Sequence, residues 1–212
     1  MIKAICFDMD GVLFDTERLS RDIMRELLAE HGAVLTDAVY LPTIGMTTHD
    51  AGILMNSAYP GIDMDKMEQD RQNRLRVFVK AHGVPLKRGV PEVLIALRKR
   101  GMRLGIATST VRTEQTLLVE TAGLTGLFDA VVCGDEITNG KPRPDIYLAC
   151  AQKLCTRPDA CAGVEDAFNG LKALRAAGMF SVMVPDLLPY HAACEPYADA
   201  VIGSLTELTG VI

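Results

Sequence analysis

The chain has no run of lysines or arginines longer than three residues, and its formal net charge is -5. It therefore has no electrostatic footprint for nucleic acid. No apolar run is long enough to span a bilayer. The opening Met1-Ile2-Lys3-Ala4 has no signal-peptide layout and runs straight into an apolar segment. These absences predict a cytoplasmic protein with neither membrane nor nucleic acid as partner, and we expect a monomer. The cysteines, at positions Cys6, Cys133, Cys150, Cys155, Cys161 and Cys194, form no Cys-x-x-Cys. Three of them lie in strand-like runs, so the expectation is reduced, mostly buried thiols rather than disulfides or a zinc site. No internal repeat or low-complexity tract is present.

What is there begins with Phe7-Asp8-Met9-Asp10-Gly11, which follows the apolar run Ile2 to Phe7. That run reads as a buried parallel strand. Two carboxylates at the mouth of such a strand repel each other, at a cost of about 4 kcal/mol at ~4 Å and an effective dielectric near 20. A cation or a shared proton must relieve that repulsion, unless the segment is simply a solvated acidic turn. Taken alone, the segment leaves those readings open. Gly11 permits a sharp turn and close approach by a ligand.

From Thr16 to about Val84 the pattern is helical. Leu19, Ile23, Met24, Leu27 and Leu28 form an apolar stripe, and further helices are expected over Asp50 to Ala58 and Asp63 to Ala81. The cap methionines read as core filler. Alternation follows: helix Glu92 to Arg100, strand Arg103 to Ala107, helix Thr113 to Ala122, strand Ala130 to Cys133. Then come helix Pro144 to Leu154, strand Ala160 to Val164, helix Phe168 to Ala177, strand Phe180 to Val184, strand Ala200 to Ile202 and a terminal helix. Strand-helix alternation implies a parallel sheet with helices on both faces, and such sheets bind ligands at the carboxyl ends of their strands.

Four of those strand ends carry chemistry. Asp8 and Asp10 follow the first, Thr108-Ser109-Thr110 the second, and Lys141-Pro142-Arg143-Pro144-Asp145 lies in the loop after Cys133. Glu165-Asp166, with Asn169-Gly170 beyond, follows the strand ending at Val164. Asp8, Asp10, Glu165 and Asp166 are hard oxygen ligands without His or Cys at hand, which favours Mg²⁺ over zinc.

In this order the four motifs resemble those of the haloacid dehalogenase-like hydrolase superfamily, in the branch with a helical cap that includes β-phosphoglucomutase-like proteins and sugar phosphatases. The resemblance covers essentially the whole chain. It implies an α/β fold: a Rossmann-like core of residues 1–15 and 85–212, with an inserted α-helical cap of residues 16–84. It also implies that Asp8 attacks phosphorus to form an aspartyl-phosphate, that Asp10 acts as acid and then base, and that Lys141 and Thr108 stabilise the phosphoryl group. Asp8, Asp10 (through its backbone carbonyl), Glu165 and Asp166 would hold the Mg²⁺. The substrate-binding set would be Thr16, Thr47, Thr48, His49, Ser109, Thr110 and Asn169.

Asp10 argues against dehalogenase and phosphonatase relatives, which do not carry the second aspartate. Mutase relatives carry a histidine where this chain has Ser20, and a cap arginine where it has Thr48. The expected activity is therefore a Mg²⁺-dependent phosphatase of small phosphorylated metabolites, sugar phosphates by family likeness. A β-phosphoglucomutase-like phosphomutase is the alternative and a non-catalytic phosphosugar-binding regulator a remoter one. If mutase activity dominated, His49 or Arg74 is the expected grip on a distal phosphate.

Overall fold

The computed structural model describes residues 1–46 and 48–212. The first strand, β1 (Ala4–Phe7), is buried along its whole length. A helical insert follows, with α1 (Thr16–Glu30), α2 (Asp37–Tyr40), α3 (Thr48–Ala58) and α4 (Met64–His82). Then come α5 (Val90–Lys99), β2 (Arg103–Ala107), α6 (Arg112–Thr121), β3 (Ala130–Val132), α7 (Asp145–Lys153), β4 (Cys161–Glu165), α8 (Phe168–Ala177), β5 (Phe180–Met183), β6 (Ala200–Val201) and α9 (Leu208–Val211).

The strands form one sheet in the order β3-β2-β1-β4-β5-β6, every pairing parallel. Phe7 sits opposite Ile106 on one side and Val164 on the other, so β1 is central. Chain order reverses at β1, and the crevice outside its carboxyl end is where an open α/β sheet receives a ligand. Alternate residues of β1 serve different faces, as the two-residue period of a strand requires. Ile5 and Phe7 join Val93, Leu94 and Leu97 of α5 in the larger apolar cluster. Ala4 and Cys6 join Tyr147 and Cys150 of α7 and Leu174 of α8 in a second one. On that second face Gly163 leaves the space Leu174 occupies, since a Cβ there would stand 1.9 Å from its Cδ2.

The helical region between β1 and α5 departs from expectation in one respect. A short helix, α2, followed by a 3-10 turn over Leu41–Thr43, fills a stretch to which no particular helix was assigned. Four residues are too few to show a 3.6-residue period, so no pattern could have revealed it. Of the other boundaries, those of β2 and α8 are as expected and the rest differ by one or two residues, the start of β1 included. The cysteines are all free, and only Cys155 is exposed. Among the described residues no helix is long and apolar enough to cross a membrane.

Candidate functional site

Asp8 follows β1 directly, and its N–H donates to the Val164 carbonyl at 2.9 Å, tying it to β4. The next residues close a tight turn. Leu13 and Phe14 donate to the Met9 carbonyl at 2.9 and 3.0 Å, while Gly11 donates to Phe14 at 2.8 Å. Met9, Val12, Leu13 and Phe14 anchor this turn in the core. Gly11 has a φ of 79°, and a Cβ there would meet Asp166 Oδ2 at 2.2 Å. Glycine is thus required twice over, for its backbone and for its closeness to the carboxylate.

Lys141 is the electrostatic centre of the lower cavity. Its Nζ donates to Asp8 Oδ1 and to Glu165 Oε1, the latter at 2.6 Å, and the Tyr147 hydroxyl also donates to Glu165 Oε1. Lys141, Asp8, Glu165 and Asp166 are all at least nine-tenths buried. Burial works against the lysine's charge, but Asp8 and Glu165 more than offset it and raise its pKa. Burial pushes the Asp8 carboxyl well above the usual carboxylate range, against the pull of Lys141, and Glu165 and Asp10 push the same way. Asp166 is likewise raised, by burial first and then by Glu165 and Asp8. Gly170 makes room for this arrangement, because a Cβ there would stand 1.9 Å from the Glu165 carboxyl carbon.

Asp8, Glu165 and Asp166 offer carboxylate oxygens that all lie within 4.8 Å of one another. Three buried carboxylates against one ammonium leave negative charge in excess, and a hard divalent cation fits that donor set. Glu165 Oε1 is already engaged by Lys141 and Tyr147, so Asp8 and Asp166 are the more available donors.

Asp10 stands apart from that cluster. Thr16 donates to its Oδ1, and Thr110 donates to its Oδ2 at 2.7 Å. Both oxygens are thus held by hydroxyls from opposite sides, one at the start of α1 and one in the loop after β2. Thr108 is buried, and its hydroxyl accepts from the Thr110 N–H at 3.1 Å, which shapes that loop.

These groups open into a cavity of about 240 Å³ roofed by α1, α3 and α4. Asp8, Asp10, Thr108, Ser109, Thr110, Lys141, Glu165 and Asp166 all line it, as the sequence reading expects. Three of the other expected binding residues fall elsewhere. Thr16 is buried behind Asp10 and serves its carboxylate rather than the cavity. His49 is exposed at the start of α3 and is not part of the lining. Asn169 is half-buried on α8, outside the lining, where its neighbour Gly170 accommodates Glu165. Thr47 lies outside the described residues, as does the side chain of Thr48. Arg74 pairs with Glu30 at 2.7 Å on the outer surface and does not line the cavity.

The cap cation that does line it is Arg71. Its Nε and Nη2 donate to the two Glu68 oxygens, each at 2.7 Å, and its Nη1 donates to Ser20 Oγ at 2.9 Å. Nearby, burial raises the Glu17 carboxyl to about 7, with Asp10 adding to the shift and Arg71 opposing it. Burial raises Glu114 of α6 as well. The methionines read as core filler have a second use, since Met24, Met55 and Met64 are buried and also line the cavity. Arg71 had a sequence signal. Met64, Glu68, Arg71 and Leu75 recur at steps of four, three and four, so both charges share the face of two buried residues.

Fold and cavity together define an α/β protein with a charged cavity at the switch point of its parallel sheet. The model of the haloacid dehalogenase-like hydrolases matches residues 2–178, and the chain belongs to that family. It is 30% identical to hexitol phosphatase B of Escherichia coli (strain K12), over 98% of this chain and 95% of that protein. It is also 30% identical to the phosphorylated carbohydrates phosphatase of Thermotoga maritima, over 84% of this chain and 82% of that protein. Among solved structures, CbbY from Rhodobacter sphaeroides in complex with xylulose-(1,5)bisphosphate superposes with a TM-score of 0.82. That pair is 25% identical and covers 98% of this chain and 96% of the other.

Proposed function

We propose that the protein is a Mg²⁺-dependent phosphatase of phosphorylated carbohydrates, acting through an aspartyl-phosphate on Asp8. The observation that carries this reading is the buried Lys141 ammonium shared by Asp8 and Glu165, with Asp166 alongside, at the floor of a cavity of about 240 Å³. Relatives named as a hexitol phosphatase and a phosphorylated carbohydrates phosphatase support the substrate class.

The residues divide the work as follows. Asp8 is the nucleophile, and its attack on phosphorus expels the sugar alkoxide. Asp10, steadied by Thr16 and Thr110, gives a proton to that leaving oxygen and later takes one from water. Lys141 holds Asp8 in place and offsets the charge of the phosphoryl group, and the Thr108 hydroxyl donates to a phosphoryl oxygen. Asp8 and Asp166, with Glu165 and the Asp10 backbone carbonyl, would hold the Mg²⁺. When bound, the ion neutralises phosphoryl charge and relieves the repulsion among these carboxylates. Ser109 and Thr110 line the same floor, so each can also meet the phosphoryl group.

The division into a core of residues 1–15 and 85–212 and a cap of residues 16–84 belongs to this reading. The two connections run side by side: Asp15 donates to the Pro85 carbonyl at 2.8 Å and Lys87 to the Leu13 carbonyl at 2.9 Å. Asp186, in the loop after β5, accepts from Arg18 and from Lys87 Nζ, the latter at 2.6 Å, and so clasps both connections to the sheet. A paired crossing of this kind is a hinge about which the cap closes. Small-angle scattering should show compaction when Mg²⁺ and a phosphate-mimicking fluoride are added, and an unchanged profile at saturation would count against closure.

The activity itself is tested by phosphate release from an aryl phosphate and a panel of sugar phosphates. Chelated enzyme should be inactive and Mg²⁺ should restore it. Full turnover after chelation would remove the metal from the account, and no turnover with any substrate would favour a binding protein.

A further inference from the structure

The upper end of the cavity carries charge of the opposite balance from that needed to hold a second phosphate. Glu17 of α1, Asp65 and Glu68 of α4 and Glu114 of α6 bring four carboxylates to its wall, against one guanidinium among the described residues, Arg71. That guanidinium is committed. Glu68 takes its fork with two bonds of 2.7 Å, Ser20 takes a third donor, and Gln72 Nε2 adds a bond of 2.9 Å to Glu68. Between these groups the wall is apolar, with Met24 and Leu75.

Unless it displaced Glu68, a distal phosphate would gain only the one N–H left on each Arg71 Nη nitrogen, and it would rest beside Glu17 and Glu114. Those two carboxyls are already raised by burial, and a dianion nearby would make their ionisation costlier still. Neutral hydroxyls meet no such opposition. Each carboxylate accepts from them, and Arg71 keeps one N–H on each Nη nitrogen beyond the bonds described. Resting on the phosphatase reading, we propose that the substrate is a monophosphate ester of an uncharged polyhydroxylated alcohol, and that the cap end of the cavity rejects sugar bisphosphates. The chain would differ in this from CbbY of Rhodobacter sphaeroides, which was crystallised with a bisphosphate. The sorting residues are Glu68, which occupies the cap's arginine, and Glu114.

The test compares kcat/KM for a hexitol monophosphate and a ketohexose bisphosphate in the presence of Mg²⁺, with an aryl phosphate as control. The wild type should favour the monophosphate by about tenfold or more, because like-charge juxtaposition is an effective device for rejecting a wrong partner. Glu68→Gln frees the Arg71 fork and removes one negative charge, and should narrow that ratio by about tenfold. Glu114→Gln should narrow it in the same direction and carries the test if Glu68→Gln does not fold. A wild type that takes the bisphosphate as well as the monophosphate overturns the proposal. So does an unchanged ratio in the folded variants. Turnover of the aryl phosphate with a bisphosphate preference would sink this inference alone, whereas no turnover of any ester would sink the phosphatase reading with it.

Discussion

The two ends of the cavity are built from different kinds of backbone. The floor is made of residues that leave the carboxyl ends of β1, β2 and β4 or the loop after β3, and the sheet register sets their spacing. The roof is made of side chains on α1, α3 and α4, whose placement depends on how helices pack. The floor is therefore a rigid array of buried titratable groups, with Lys141 spanning Asp8 and Glu165. The roof is a mixed surface in which a pre-formed pair, Arg71 with Glu68, has apolar neighbours. The proposed function assigns chemistry to the first and choice of substrate to the second. A substitution at the floor should lower turnover of every ester, and one at the roof should change the ranking of esters.

The largest effect is expected at Asp8. Asp8→Asn keeps the volume but removes the nucleophile, and turnover should fall by about 10³-fold or more for all substrates alike. The same change removes one of three crowded carboxylates, so the melting temperature without Mg²⁺ should hold or rise. Substantial residual turnover would mean that another group attacks phosphorus.

A smaller effect is expected from Thr110→Val, which deletes the 2.7 Å bond to Asp10 Oδ2. If Asp10 moves the proton, kcat should fall by about tenfold, the worth of one positioning hydrogen bond to a charged group, with KM nearly constant. A change in KM alone would place Thr110 in substrate binding and leave Asp10 without its proposed steadying partner.

Glu17 supplies the least dramatic test, since it reads stability rather than rate. Its carboxyl is raised from 4.5 to about 7 by burial first, then by Asp10, with Arg71 opposing; Tyr40 and Asp186 also act on it. The folded protein thus holds this proton more tightly than the unfolded chain does. Stability from this group is present below about pH 4.5 and is lost as pH rises through about 7. Glu17→Gln should flatten that slope and stabilise the metal-free protein at mildly alkaline pH by about 1–2 kcal/mol. An identical pH–stability slope in the variant would show that Glu17 is not held in this state.

This division also explains what could be read from the chain before its structure. Strand ends are visible in sequence, because an apolar run of four to six residues stops where the polar residue begins. Asp8, Thr108 and Asp166 were legible for that reason, Lys141 in the loop after β3 only through the resemblance of its motif, and the alternation of strands and helices disclosed the parallel sheet. The roof was legible only as helices. Arg71 and Glu68 looked like two charges among many on α4, although their register with Met64 and Leu75 marks the buried face. His49 and Arg74 looked suitable by charge and proximity in sequence, yet the first is exposed and the second pairs with Glu30. Thr16 was assigned to substrate because it follows the acidic motif, and only the fold shows it turned toward Asp10. Helix rotation, unlike strand register, is fixed by tertiary packing.

The account stands most directly on where the phosphoryl group goes. The enzyme should be quenched during turnover of a sugar monophosphate, reduced with borohydride and mapped by peptide mass spectrometry. An aspartyl-phosphate is reduced to homoserine, and the account predicts that conversion at Asp8 alone, dependent on both substrate and Mg²⁺. Reduction at a different residue, or none from an enzyme that is turning over, would contradict it.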